Sequence, residues 1–206
     1  MSESKPYDPW GNVTTRNGIQ GDLVISALQK SIRRGLAEEA VAFAYEMYIT
    51  SEQFEDKLWR RLQAISVEDV GFGDLSAPVL INTLNQMRQN FPYTDGDRPL
   101  FFVHAIRYLA AAQKDRTSDN LKNIVKIESA RGRIPEIPDY ALDKHTEEGR
   151  ALGRDFKHFL EEGSRSENEL SVDEDYRSRL LALLDKIEQE GLGTIENAFV
   201  YNGWQA

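Results

Sequence analysis

Apolar side chains recur along this chain at three- and four-residue intervals, the spacing of helices that bury one face. Ile25, Leu28 and Ile32 open the first such stripe, which stops near Gly35. Leu36, Ala40, Phe43, Ala44 and Met47 carry the second. Thr50 with Gln53 reads as a capping box ahead of a third stripe, Phe54, Leu58, Leu62 and Ile65, which breaks at Gly71-Phe72-Gly73. Leu80, Leu84, Met87 and Phe91 form a fourth, closed by Pro92. Asp97 and Pro99 signal a fifth start, with Phe102, Ile106 and Leu109 inward. Thr117 or Ser118 caps a sixth, with Leu121, Ile124 and Val125 inward. No stretch alternates as a strand would. The pattern predicts an all-α, multi-helix bundle.

Proline, glycine and charge divide the chain. Residues 1–21 hold Pro6, Pro9, Gly11, Gly18 and Gly21 and read as an irregular arm, anchored by Tyr7 and Trp10. A helical domain over 22–160 follows. Its period lapses in an extended connector from Arg131 to Pro138 and resumes at Leu152, Phe156, Phe159 and Leu160. Residues 161–175 carry seven acidic side chains against one basic and read as a solvated linker. Tyr176, Leu180, Leu183, Leu184 and Ile187 then mark a last helix, ended by Gly191 and Gly193, with a tail to residue 206.

Composition narrows the chemistry. The absence of cysteine excludes disulfides, zinc ribbons and thiol nucleophiles, and fits a reducing compartment. No apolar run is long enough to span a bilayer. The opening Met1-Ser2-Glu3-Ser4-Lys5 lacks the apolar core of a signal peptide. The expectation is a cytoplasmic chain with no membrane contact. A formal charge of −9 makes it a poor stand-alone ligand for a phosphate backbone, whose affinity comes from lysine and arginine. Any DNA contact needs a local basic face.

No G-x-x-x-x-G-K-[ST] loop is present to cradle nucleotide phosphates, and Gly71-Phe72-Gly73 reads as a helix stop. Of the three histidines, His104 lies beside an apolar stripe and reads as a packed core residue. Asp143, His145, Glu147 and Glu148 are close enough in sequence to draw a metal-dependent enzyme site, but no H-E-x-x-H spacing fixes two ligands on one helix face. Asp143 and Thr146 equally suit a turn and helix start. No cofactor or metal is expected. Glu68 and Asp69 are adjacent carboxylates at a helix end; pairing with Arg60 or Arg61 competes there with general acid–base use, since helical neighbours point about 100° apart. Arg33, Arg34, Arg60 and Arg61 would form a DNA-binding face only if they gather together. Gly149-Arg150-Ala151-Leu152-Gly153-Arg154 puts two glycines in a helix-prone segment, at a cost of about 1 kcal/mol each, which implies close packing or a turn.

Three segments together carry a resemblance: Ile25-Ser26-Ala27-Leu28-Gln29-Lys30-Ser31-Ile32-Arg33; Arg60-Arg61-Leu62-Gln63-Ala64-Ile65-Ser66-Val67-Glu68-Asp69-Val70-Gly71 with Asp74; and Ala105-Ile106-Arg107-Tyr108-Leu109-Ala110-Ala111-Ala112 with Lys114. They resemble the C-terminal region of the MgsA/RarA-type AAA+ ATPases, replication-associated recombination proteins related to clamp loaders. The resemblance covers about residues 22–160, and more loosely includes Ile134 through Asp143, His145 and Thr146 to Arg150, Gly153 and Arg154. It implies a clamp-loader-type helical oligomerisation domain, commonly tetrameric, that acts beside an ATPase motor at stalled replication forks. By resemblance Ser26, Gln29, Lys30, Ser31 and Arg33 match the first motif, and Arg60, Arg61, Glu68, Asp69 and Gly71 the second. The motor has no counterpart here, so ATP hydrolysis does not carry over. The family's Pro-Lys-Ser-Asn stretch is replaced by Gln113 to Asn120. The expectation is a non-catalytic oligomerisation and protein-interaction module in DNA replication or recombination. Its partners would be copies of itself and an AAA+ ATPase or replisome protein, with DNA contact weak at best. A metal-dependent enzyme or a direct DNA-binding module is the alternative.

Overall fold

The computed structural model describes residues 9–170 and 175–191, and the chain divides into two compact units, Met1–Arg133 and Ile134–Ala206. The division falls inside the expected 22–160 domain, at the extended connector rather than at the acidic segment. Among the described residues the architecture is all-α, with nine α-helices and no strand. One isolated bridge, Thr14 with Gln20, closes the arm.

In the first unit α1 (Gly21–Arg33), α2 (Ala37–Thr50), α3 (Glu52–Ile65), α4 (Ala77–Arg88) and α5 (Arg98–Ala111) form a bundle. α1 packs on α2, α2 on α3 and α5, and α4 on α5. The stripes of α1, α3 and α5 fall inward as their spacing predicts: Leu28, Ile32, Leu58, Leu62, Phe102, Ile106 and Leu109 are fully buried. Each such aliphatic or aromatic side chain removed from water contributes about 1.5–3 kcal/mol. Trp10 anchors the arm as expected, meeting Phe54 edge-on at 5.0 Å; Tyr7 lies outside the described residues.

Three local expectations are corrected. The cap of α3 is Ser51, whose Oγ accepts from Phe54 N at 3.3 Å, while the Thr50 hydroxyl donates back to Glu46 O. The buried face of α4 is Ala77, Ile81, Leu84 and Arg88, rotated from Leu80 and Met87, because Arg88 turns inward to a buried carboxylate. The third concerns α6 (Thr117–Ala130): none of its residues is buried, and Leu121, Ile124 and Val125 are 61, 52 and 51% exposed.

The second unit contains α7 (Glu147–Ala151), α8 (Phe156–His158), a π turn at Phe159–Gly163 and α9 (Tyr176–Gln189). The acidic segment therefore begins within the π turn. Asp175 caps α9 by accepting from Ser178 N at 2.8 Å, and Lys157 Nζ meets Asp185 at 2.6 Å. The expected tail after Gly191 lies outside the described residues.

Candidate functional site

α3 runs into a π turn, Ser66–Val70, and then a 3-10 turn, Gly71–Gly73. Such widened turns often mark functional positions. Here the turn presents Glu68 and Asp69 to the last residues of α1. Gln29 Nε2 donates to Glu68 Oε1 at 2.9 Å and to Asp69 Oδ2 at 3.0 Å, while its Oε1 accepts from Arg61 Nη1 at 3.1 Å. Arg33 Nε donates to Asp69 Oδ1 at 2.6 Å. Arg116, just before α6, lies 3.5 Å from Asp69 and 3.9 Å from Glu68, and also pairs with Asp119. The Asp69 side chain is completely buried, so its charge depends on these donors.

The expected partners of Glu68 and Asp69 were Arg60 or Arg61. Arg61 lies 3.8 Å from Glu68, but Arg33 and Arg116 make the closer contacts to Asp69. Arg61 Nε is buried with no hydrogen-bond partner among the described residues. Arg60 is exposed on α3. Lys30 Nζ donates to Ser26 Oγ at 2.8 Å on the exposed side of α1, apart from the ion-pair network. Arg34 Nη1 returns to Lys30 O at 3.0 Å. The four arginines proposed as a DNA face are thus split, with Arg33 and Arg61 committed to carboxylates.

Gly71 has a specific task. Its φ is +52°, and a Cβ there would stand 2.4 Å from Asp115 O. The segment 113–115 presses onto the turn, and Asp115 N donates to Asp69 O at 3.0 Å and Val70 O at 3.1 Å. The third motif joins here too. Lys114 Nζ donates to Ala110 O at 3.0 Å and Ala112 O at 2.5 Å, tying off α5; burial lowers its pKa. Tyr108 donates its hydroxyl to Asp74 Oδ2, and Asp74 Oδ1 accepts from Ser76 Oγ at 2.6 Å. These bonds, the one from Ser76 foremost, hold the Asp74 carboxyl below the ordinary carboxylate range. All three motif segments therefore converge on one junction, from which α6 departs.

No family model matches this chain, and no curated protein matches it.

The Asp143 neighbourhood belongs to the second unit. Asp143 Oδ1 accepts from His145 N at 2.8 Å, and Oδ2 faces His145 Nδ1 at 3.0 Å. The contact with His145 lowers the Asp143 pKa. Thr146 caps α7, its Oγ1 accepting from Gly149 N at 3.0 Å while donating to Asp143 O at 3.0 Å. Gly149 is the close packing anticipated: a Cβ would meet Asp143 O at 1.9 Å. Gly153 supplies the turn, with φ +74°. Arg154 donates to Asp139 O at 2.7 Å and Leu142 O at 2.6 Å, and Arg150 to Lys144 O at 3.1 Å. Glu147 and Glu148 are exposed. No three metal-ligating side chains gather among the described residues. The geometry here is that of a turn and a cap.

Sequence reasoning missed a second charge network. Glu55, 1% exposed, accepts from Arg88 Nη1 at 2.9 Å and from Arg98 Nη2 at 2.9 Å and Nε at 3.0 Å. The signal was present: Glu55 falls three residues before Leu58 and seven before Leu62, on the buried stripe of α3. His104, read as a core residue, is exposed instead and lines an open groove of about 510 Å³ with Phe91, Leu100 and Arg107.

Proposed function

We propose that this protein is a non-catalytic, cytoplasmic helical module that assembles with copies of itself and with an ATPase or replisome component in DNA replication or recombination, similar to the C-terminal region of MgsA/RarA-type ATPases. What supports the reading is one observation: Gln29, Arg33, Arg61, Glu68 and Asp69, drawn from two segments far apart in sequence, meet in a single network that Arg116 joins to the base of a solvent-exposed amphipathic helix. Buried charges cost several kcal/mol of desolvation, which only near-ideal pairing offsets. A network of that cost at the root of α6 serves to aim the helix. An amphipathic helix with an open apolar stripe is a recognition element of the helix-in-groove type. Among the described residues no helix is long and apolar enough to cross a membrane.

Light scattering over a concentration series tests the assembly half of the reading. Self-association at tens of micromolar is the expected result, and a strict monomer there refutes it. Affinity capture tests the other half: an AAA+ ATPase or replisome subunit retained by the wild type and lost by Ile124→Glu is the expected outcome.

A further inference from the structure

We infer that Asn17-Gly18 is a self-modifying site: Glu46 keeps it intact while the arm is closed, and its conversion to aspartate or isoaspartate unfastens the arm from α2. The inference is independent of the assembly reading above. The sequence supplies the reactivity. A backbone amide can attack the side-chain amide of the asparagine before it, and glycine at 18 has no Cβ to obstruct the approach. The Gly18 nitrogen bonds to Asn17 Cγ, the Cγ–Nδ2 bond breaks, and ammonia leaves with the proton of the attacking amide. Water then opens the cyclic imide at one carbonyl or the other, giving aspartate or isoaspartate. Water is the one co-reactant the balance needs.

The structure supplies the gate. The arm doubles back through the Thr14–Gln20 bridge, and the turn at its tip lies against the end of α2. Both reacting groups are tied down there. The Gly18 N–H, which gives up its proton in the attack, donates to Thr15 O at 3.0 Å. Asn17 Nδ2, the leaving group, donates to Glu46 Oε2 at 2.7 Å, and the Asn17 backbone N–H donates to Glu46 Oε1 at 3.1 Å. The Thr15 hydroxyl foremost, and then Asn17 and the charge of Arg16, draw the Glu46 carboxyl below its ordinary range. An ionised carboxylate therefore holds the amide, by bonds stronger than those between neutral groups. Cyclisation has to break the Asn17–Glu46 and Gly18–Thr15 bonds first. Conversion then reverses the sign of the contact. Aspartate at 17 sets a carboxylate oxygen where Nδ2 now donates, and like charges that close repel. Isoaspartate also lengthens the backbone of the turn. The bonds that this repulsion strains are those fastening the arm, Arg16 N to Thr50 Oγ1 at 3.0 Å and Gly21 N to Val13 O at 2.8 Å.

Peptide mass spectrometry on the full chain, incubated in mildly alkaline buffer, reads amide-to-acid conversion at residue 17. It is run on folded wild type, on wild type unfolded in guanidinium chloride, and on Glu46→Ala, whose fold circular dichroism checks. Glu46→Gln, which keeps the length of the side chain, takes its place if Glu46→Ala does not fold. The expected order is slow, fast and intermediate. The folded Glu46 variant should convert about tenfold faster than folded wild type, equivalent to about 1.4 kcal/mol of lost protection. Folded wild type that converts as fast as the unfolded chain, an unfolded chain that does not convert, or a folded Glu46 variant no faster than wild type each overturns the gated site. Hydrogen exchange on Asn17→Asp tests the unfastening. The amides of Arg16 and Gly21 should exchange faster than in wild type while those of α3 keep their rates. Unchanged exchange at 16 and 21 overturns the release of the arm.

Discussion

Replacing Asp69 by Asn changes one oxygen to nitrogen and removes the charge around which α1, the π turn and α6 are joined. The Asp69 side chain is completely buried, whereas those of Arg33 and Arg116 are 28 and 33% exposed. Breaking a fully buried pair costs about 3–5 kcal/mol. Both arginines here retain solvent and Glu68, and solvent-exposed partners return much less, so the expected loss is about 2–3 kcal/mol. Glu68→Gln provides the contrast. Glu68 is partly exposed, and its arginine contacts are 3.4–3.9 Å long, which places its loss at about 1 kcal/mol or less. Urea unfolding followed by circular dichroism measures both. With a slope of about 2 kcal/mol per molar, typical of this size, Asp69→Asn lowers the midpoint by about 1 M. Hydrogen exchange adds the local readout. α6 buries none of its residues and meets the unit chiefly at Ser66–Val70, and an unsupported helix of this length is marginal in water. Amides of 121–130 should therefore exchange faster in Asp69→Asn, while those of α2 at native conditions change far less. Equal midpoint losses for the two variants, or unchanged exchange in α6, would refute the claim that Asp69 holds the junction.

Glu55→Gln should destabilise more than Asp69→Asn, by about 3–5 kcal/mol, because Arg88 and Arg98 are both nearly buried and the new amide turns one N–H toward their donors. Asp56→Asn, on the solvent side of Arg88, should cost under about 1 kcal/mol, and urea midpoints rank the two. Asp74 predicts an acid dependence. Its folded pKa lies below the ordinary carboxylate value, chiefly through the Ser76 bond, so the unfolded chain takes up the proton first. The stability it supplies is complete above the unfolded value of about 3.9 and is lost as pH falls through the lower folded value. The midpoint gap between wild type and Asp74→Asn should thus be full at pH 7 and shrink below about pH 4; a gap constant down to pH 2 contradicts the assignment.

The five-helix core was legible because burial of one face leaves a period in the sequence. Leu28, Leu58, Phe102 and their neighbours are apolar at helical spacing and are covered by other stripes of the same unit. The misreadings share a physical origin. Arg88 displaced Met87 from the interior of α4 because Glu55 is a buried charge that needs guanidinium partners, and periodicity assigns charges outward by default. Of the two arginines expected for Glu68 and Asp69, Arg61 reaches Glu68 while Arg60 does not, and Asp69 is taken instead by Arg33 and Arg116 because the π turn re-aims the carboxylates; no local pattern announces a π turn. Gly71 was visible as a helix stop, but its need to admit residue 115 depends on a contact over forty residues away in sequence.

α6 exposes the deeper limit. Leu121, Ile124 and Val125 have the same spacing as the core stripes, so they were assigned inward, yet they lie open. Periodicity reports that a helix has an apolar face; it carries no information on whether the covering surface belongs to the same chain. The root of the helix does carry such information. Arg116 faces Asp69, Glu68 and Asp119, and Asp119 in turn holds Lys122 at 2.5 Å, a set of bonds that draws the Asp119 pKa down, Lys122 first and then Arg116. These contacts fix where α6 starts and the direction it takes without burying any of it. Orientation without burial stabilises the unit only weakly. The arrangement makes energetic sense when the apolar stripe is completed by another molecule, which gains from a helix already aimed because less conformational freedom is lost on docking.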